Sequence, residues 1–150
     1  MANTFTSLRY HVVFSTKHRR RFLTHDIEDR VWSYLGGIAR ENGMSPIRIG
    51  GVEDHIHLIV GIPPTLAVSR AVQLLKGGSS SWIHETFAEL RSFGWQDGYA
   101  AFTIGRSQIA DTIEYVARQR EHHHARTFED EYLAILRKHE IEFDPRYVFD

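Results

Sequence analysis

Asp54-His55-Ile56-His57-Leu58-Ile59-Val60-Gly61 is the stretch that decides how this chain folds. Side chains alternate across an extended segment, so His55 and His57 project from one face while Ile56, Leu58, Val60 and then Ile62 project from the other. One face is apolar enough to meet a core. The other brings two imidazoles to a common surface. Burying imidazoles without partners is costly, and a shared cation is one arrangement that satisfies both. Two unrelated histidines on a half-exposed strand fit the same spacing, so the flanking sequence has to decide.

Pro46, Ile47 and Ile49 predict a preceding strand, and Glu53-Asp54 a tight reversal, so the two strands form a hairpin. Leu8, Tyr10, Val12 and Phe14 alternate with Arg9, His11 and Val13, the pattern of a half-buried strand. Thr24 is placed to cap a helix with Ile27, Val31, Leu35 and Ile38 on one side, ending near Asn42-Gly43. After Pro63-Pro64-Thr65 a second helix carries Leu66, Val68, Val72 and Leu75. Gly77-Gly78-Ser79-Ser80-Ser81 interrupts that pattern, because each helical glycine costs about 1 kcal/mol relative to alanine. A kink or break is expected there; close approach to a phosphate backbone, with Lys76 and the serines as contacts, is the functional alternative.

Ala100, Phe102 and Ile104 predict a further strand, Gly105 a free turn, and Ser107 the cap of a helix running to about His124. A last short helix starts at Thr127, with Glu129, Asp130 and Glu131 complementing its dipole. Strands and helices in this order suit an α+β sandwich, an antiparallel sheet with helices on one face, most simply ferredoxin-like. Arg9 and His11 are then expected beside His55 and His57 on a polar, cationic face.

The 150 residues, 42% of them hydrophobic, fit a single domain spanning 1–150. The absence of cysteine excludes thiolate zinc sites and disulfide frameworks, leaving His, carboxylate and amide groups as metal ligands. No run of about 18 apolar residues and no signal-peptide pattern occurs, so a soluble cytoplasmic protein is expected. The net charge of −1 is unevenly spread: residues 1–126 hold 15 Lys and Arg against 12 Asp and Glu, residues 127–150 only 3 against 7. The densest basic run, Lys17-His18-Arg19-Arg20-Arg21, can bind phosphates or be merely solvated.

On the helix after Ser107, Tyr115 and Gln119 stand four residues apart and reach the same surface. A phenol, an amide and two imidazoles can together form a metal-dependent phosphodiester-transfer site. A divalent ion on His55, His57 and the Gln119 carbonyl keeps positions open for phosphate oxygens, while Tyr115 attacks phosphorus. A covalent phosphotyrosine conserves the ester's energy for rejoining a strand, which a plain nuclease has no need to do. His122 and His123 fit phosphate binding or proton transfer, or simple charge at a helix end.

With these residues in view, the chain resembles the HUH single-tyrosine transposases of bacterial insertion sequences, the insertion sequence 200/605 (IS200-like, TnpA) family. The resemblance covers nearly the whole chain. It lies in Arg9-Tyr10-His11-Val12-Val13-Phe14-Ser15-Thr16-Lys17, in Asp54-His55-Ile56-His57-Leu58-Ile59-Val60 and in Leu75-Lys76-Gly77 with Ser79-Ser80. It continues in Trp95-Gln96-Asp97-Gly98-Tyr99 and in Tyr115 through Gln119 to His123. It implies His55, His57 and Gln119 as metal ligands, Tyr115 as nucleophile, and Mg²⁺ or Mn²⁺ as cofactor. It implies cleavage and rejoining of single-stranded DNA near hairpins through a 5′-phosphotyrosine, without a nucleotide cofactor. It further implies a homodimer in which the tyrosine helix of one subunit completes the other's site, with Gly105 as its hinge. Lys17, Arg19, Arg20, Arg21 and Lys76 are candidate DNA contacts.

Three other readings stand beside this one. A histidine-triad nucleotide hydrolase needs a third alternating histidine, and position 59 is isoleucine. A ferredoxin-like RNA-binding module needs aromatic residues on its central strands. A domesticated hairpin-binding regulator that no longer cuts would still use the same surface, and the intact set of His55, His57, Tyr115 and Gln119 argues against it.

Overall fold

The computed structural model describes residues 3–123 and 126–149. Strands β1 (Arg9–Ser15), β2 (Ser45–Val52), β3 (His55–Gly61) and β4 (Ala100–Thr103) form an antiparallel sheet in the order β2-β3-β1-β4. Helices α1 (His25–Glu41) and α2 (Val68–Thr86) connect β1 to β2 and β3 to β4. This is the ferredoxin-like alternation that the sequence predicts. Pairing sets Val13 opposite His57, Ser15 opposite His55 and His11 opposite Ile59. Every second residue of the two central strands therefore shares a face with the histidines.

The opposite face is a conventional core. Val12 and Phe14 of β1 and Ile56, Leu58 and Val60 of β3 pack against Ile27, Val31, Leu35 and Ile38 of α1 and Val72, Leu75 and Ile83 of α2. Burial of each such side chain contributes about 1.5–3 kcal/mol. Thr24 takes the extended N-cap conformation, but its hydroxyl donates to the Asp26 carboxylate rather than accepting a backbone amide.

The break expected at Gly77-Gly78 is absent: α2 runs through both glycines. A Cβ at Gly78 would stand 2.9 Å from Cδ1 of Ile38, so this glycine serves the close approach of α2 to α1. The buried Ser79 hydroxyl donates to the Leu75 carbonyl (2.6 Å) and accepts from the Trp95 indole (3.0 Å). Helix packing, not chain interruption, uses this segment.

The second face is roofed by the rest of the same chain. Beyond a short turn at Arg106–Gln108 come α3 (Ile109–Ala117), α4 (Gln119–His122) and α5 (Phe128–Lys138). The single helix expected from Ser107 is thus divided at Arg118, whose backbone (φ −102°, ψ 25°) leaves the helical region while its amide reaches the carbonyls of Glu114 and Tyr115. Its expected end, His124, lies outside the described residues. Gly105 has an ordinary extended conformation (φ −75°, ψ 156°), so the turn there makes no use of glycine's freedom.

Two apolar patches anchor the roof. Ile59, Ile104 and Val116 pack with Ile109 and Ile113 of α3. Val13, Ala100 and Phe102 pack with Phe128, Tyr132 and Leu136 of α5. A helix on this face was expected from a partner subunit; here α3 of the same chain closes it, and approaches so tightly that a Cβ at Gly50 would lie 2.8 Å from the Val116 carbonyl oxygen. Among the described residues no helix is long and apolar enough to cross a membrane.

Candidate active site

Between those patches lies a polar chamber built on β1 and β3 and closed by α3, α4 and α5. His55 and His57 are fully buried, and Gln119 and Glu131 are each only 1% exposed. The strand alternation aims both imidazoles into the chamber. The break at Arg118 turns Gln119 inward at the first residue of α4, where its amide carbonyl stands 3.0 Å from His55 Nε2. The Gln119 amide N–H donates back to the Tyr115 carbonyl at 3.3 Å. Arg120 clamps α4 from outside, donating to Glu53 (2.9 Å) in the β2–β3 turn and to Glu28 (2.8 Å) in α1.

Glu131 is the residue that sequence reasoning missed. Its position predicts a first-turn acid of the last helix, yet its carboxylate is the hub of the chamber. Oε1 lies 3.0 Å from His57 Nε2, 3.4 Å from His55 Nε2 and 3.2 Å from His123 Nε2. Oε2 accepts a hydrogen bond from the Tyr115 hydroxyl. A signal was present: Glu131 stands within the stripe Phe128, Tyr132 and Leu136, where a solvated acid does not belong. His55, His57 and Glu131 bring one potential ligand atom each within 4.8 Å of one another.

A further set of contacts orients the rings. Asp54 accepts from His55 Nδ1 at 2.7 Å, and His11 Nε2 meets His57 Nδ1 at 2.8 Å. His11 thus shares the chamber as the strand pattern predicts, and has a specific partner there. Partners of this kind fix which nitrogen of an imidazole is free. His123, just past α4, bonds into the chamber, whereas the His122 ring lies tilted against the Tyr115 ring (4.6 Å between centroids) with its buried Nε2 unpartnered among the described residues.

The electrostatics follow from burial and from Glu131. Burial disfavours charge on His55, but hydrogen bonds to Asp54 and Glu131 outweigh it and push its pKa up to about 9. Burial holds His57 below its ordinary value and, with His57 beside it, takes His11 down to about 3. Burial likewise opposes the Glu131 charge, yet His123, His55 and His57 together hold its carboxyl far below the usual range. Burial, then the Glu131 charge, raise the Tyr115 phenol above its ordinary value. In this arrangement Tyr115 is a neutral donor to a carboxylate. These oxygen and nitrogen donors suit a divalent cation.

The basic candidates divide. Lys76 does not reach outward: its ammonium donates to the carbonyls of Gln96 (2.8 Å), Asp97 (3.3 Å) and Gly98 (2.6 Å) and lies over the Phe14 ring. It ties down the loop before β4. Arg19 pairs with Glu129 (3.6 Å) and covers the Phe149 ring. Lys17 and Arg20 are exposed beside it. Arg19 and Arg21 line a cleft of about 890 Å³ with His18, Arg120, Arg126 and His123, and this cleft reaches Asp54 at the chamber's edge. His18 and Arg19 both adopt φ +56°, a left-handed conformation costly for residues with a side chain. Tyr115 borders a second cleft, of about 510 Å³, on the other side.

Sheet order and chamber together define a ferredoxin-like protein with a histidine pair and a tyrosine on one sheet face. The family described as "Transposase IS200 like" matches residues 4–119, and the chain belongs to that family. The transposase for insertion sequence element IS200 of Salmonella typhimurium is 32% identical over 127 residues, covering 81% of this chain and 82% of the relative. The ISDra2 transposase TnpA of Deinococcus radiodurans is 27% identical over 119 residues, covering 76% and 85%. Two solved structures share the fold. A candidate transposase from Deinococcus radiodurans superposes with a TM-score of 0.65 at 24% identity, covering 79% of this chain and 96% of that one. A REP-associated tyrosine transposase bound to a REP hairpin gives 0.60 at 14% identity, covering 82% and 74%.

Proposed function

We propose that this transposase-family chain cleaves and rejoins single-stranded DNA at hairpin-marked ends through a 5′-phosphotyrosine on Tyr115, with a divalent cation, Mg²⁺ or Mn²⁺, held by His55, His57 and an oxygen from Gln119 or Glu131. The observation that carries this reading is convergence: the Tyr115 hydroxyl and the Nε2 atoms of both histidines meet on the two oxygens of one carboxylate. Nucleophile and ligand atoms thus share one chamber. A fold neighbour solved with a REP hairpin supports a hairpin as the DNA partner.

The residues divide the work as follows. The phenol oxygen attacks phosphorus; the bond to the 3′ oxygen breaks, and that oxygen leaves as a 3′-hydroxyl after taking up a proton. Glu131 Oε2 accepts the phenol hydrogen bond and so orients the attacking oxygen, while the phenol proton is lost to water in the cleft that Tyr115 borders. A divalent cation held by His55, His57 and Gln119 or Glu131 would supply positive charge to polarise the phosphate. For His57 to offer Nε2, its Nδ1 must carry the proton and donate to His11 Nε2, so His11 selects the ligating tautomer. Arg21 and Arg126, on the cleft that reaches the chamber's edge, are placed to receive phosphates of the incoming strand. A homodimer with exchanged tyrosine helices forms part of the proposal. Mixing Tyr115→Phe with His57→Ala protein would restore activity only if sites are shared.

The test is incubation with labelled single-stranded DNA from the element's own ends, with Mn²⁺, followed by denaturing electrophoresis. A covalent protein–DNA adduct is expected, abolished by Tyr115→Phe and by chelator. An adduct that survives either change overturns the mechanism. No adduct with cognate ends, together with retained hairpin binding, favours the regulatory alternative.

A further inference from the structure

His123 faces Glu131 in the chamber, yet neither the histidine-pair motif nor the tyrosine-glutamine spacing assigns it. Its Nδ1 lies 2.8 Å from the Arg126 carbonyl, which can only accept, so Nδ1 carries a hydrogen and Nε2 is the ring's remaining position. That Nε2 points into the chamber, 3.2 Å from both Glu131 Oε1 and the Gln119 carbonyl oxygen. The ring packs edge-on against His55, with centroids 4.4 Å apart.

Three of the chamber's imidazoles, His55, His57 and His123, then show one pattern. Each has Nδ1 tied by a neighbour: Asp54 for His55, His11 for His57, the Arg126 carbonyl for His123. Each turns Nε2 toward the same Glu131 oxygen, at 3.4, 3.0 and 3.2 Å. An outer partner on one nitrogen and convergence of the other is how proteins prepare histidine for a metal. Nitrogen and oxygen atoms so gathered are held together by protons or by a cation. His123 is also the ring at the chamber mouth, since it lines the large cleft that His55 and His57 do not reach.

We propose that His123 is a third imidazole ligand, so that this chain's cation site is the nitrogen-rich set His55, His57 and His123 with a Glu131 oxygen. This rests on the metal site of the preceding section. The consequence is selectivity: three imidazoles favour a first-row transition dication over Mg²⁺, which prefers an all-oxygen shell.

The experiment loads the purified full chain with Co²⁺ and follows its visible absorption, then with Cu²⁺ and counts coupled nitrogens by electron paramagnetic resonance. Wild type, His123→Ala, His123→Gln and His57→Ala are compared, each checked for folding by circular dichroism. The wild type is expected to show three coupled nitrogens, and His123→Ala two, with Co²⁺ affinity about tenfold or more weaker. His123→Gln is expected to show the same loss while keeping a polar side chain at the position. Unchanged affinity and nitrogen count in both His123 variants, with binding lost in His57→Ala, overturns the proposal and leaves His123 as an ion-pair latch on Glu131. Unchanged binding in His57→Ala as well overturns the metal reading beneath it.

Discussion

The two faces of the sheet are equally buried and opposite in chemistry. Under α1 and α2 the strands present Val12, Phe14, Ile56, Leu58 and Val60, and shape alone holds them. Under α3, α4 and α5 they present His55 and His57, as fully buried as their aliphatic neighbours, and His11, which is 8% exposed. These rings are tolerated because nearly every nitrogen meets a partner. Each face therefore fails in its own way. An apolar core loses the transfer energy of the atoms removed and the contacts around the cavity they leave, and the loss stays local. A buried polar network passes the loss on, because every deleted group strands several others.

The sharpest way to break that contrast is to delete one side chain from each face and compare stability with and without Mn²⁺. Phe14→Ala, fully buried against Trp95, is expected to cost about 3–5 kcal/mol by denaturant unfolding, equally in chelator and in Mn²⁺. Glu131→Ala removes the partner of His57 Nε2 and of the Tyr115 hydroxyl, leaves Nε2 of His55 and of His123 only the Gln119 oxygen, and is expected to cost about 1–3 kcal/mol in chelator. It should also reduce the rise in Tm that Mn²⁺ gives the wild type. If Phe14→Ala and Glu131→Ala respond alike to Mn²⁺, the second face is a structural network and not a ligand site.

A smaller effect tests the packing of the first face. Gly77 and Gly78 are adjacent in α2, yet a Cβ at Gly77 meets nothing within 4 Å, whereas one at Gly78 meets Ile38. Gly77→Ala is therefore expected to stabilise by about 1 kcal/mol from helix propensity. Gly78→Ala should fall short of that gain, because the Ile38 δ-methyl must give way. Equal gains from both would show that the α1–α2 contact is looser than the structure has it.

How much of each face was legible in the sequence follows from the same contrast. The first face is periodic: alternation in β1 and β3 and the spacing of Ile27, Val31, Leu35 and Ile38 specify partners by position. The second face is assembled from four separated segments, and only parts carry a motif. His55, His57, Tyr115 and Gln119 stand out by residue type and spacing, and the chain does bring them together. Glu131 and His123 do not stand out, since their roles depend on where the roof helices dock. A propensity argument also placed a break at Gly77-Gly78, where burial of Ser79 and contact with Ile38 prevail. It missed the break at Arg118, which has no glycine or proline to announce it.

The smallest expected effect separates two cations that composition treats as alike. Lys76 and Arg21 were both candidate phosphate contacts. Lys76 has its donors directed at three carbonyls of the loop before β4, whereas Arg21 is exposed on the cleft that reaches the chamber's edge. A side chain that neutralises a phosphate contributes about 0.7 to the slope of log affinity against log salt on single strands. Arg21→Ala should lower that slope by about this much in a hairpin-binding titration, with stability changed by only a few tenths of a kcal/mol, as usual for an exposed site. Lys76→Met should do the reverse: it should lower stability by leaving carbonyls unpartnered, and leave the salt slope where it was. If Lys76→Met alone flattens the slope, its ammonium exchanges loop carbonyls for phosphate when DNA binds. The strand would then run along the β4 side of the sheet and not through the Arg21 cleft.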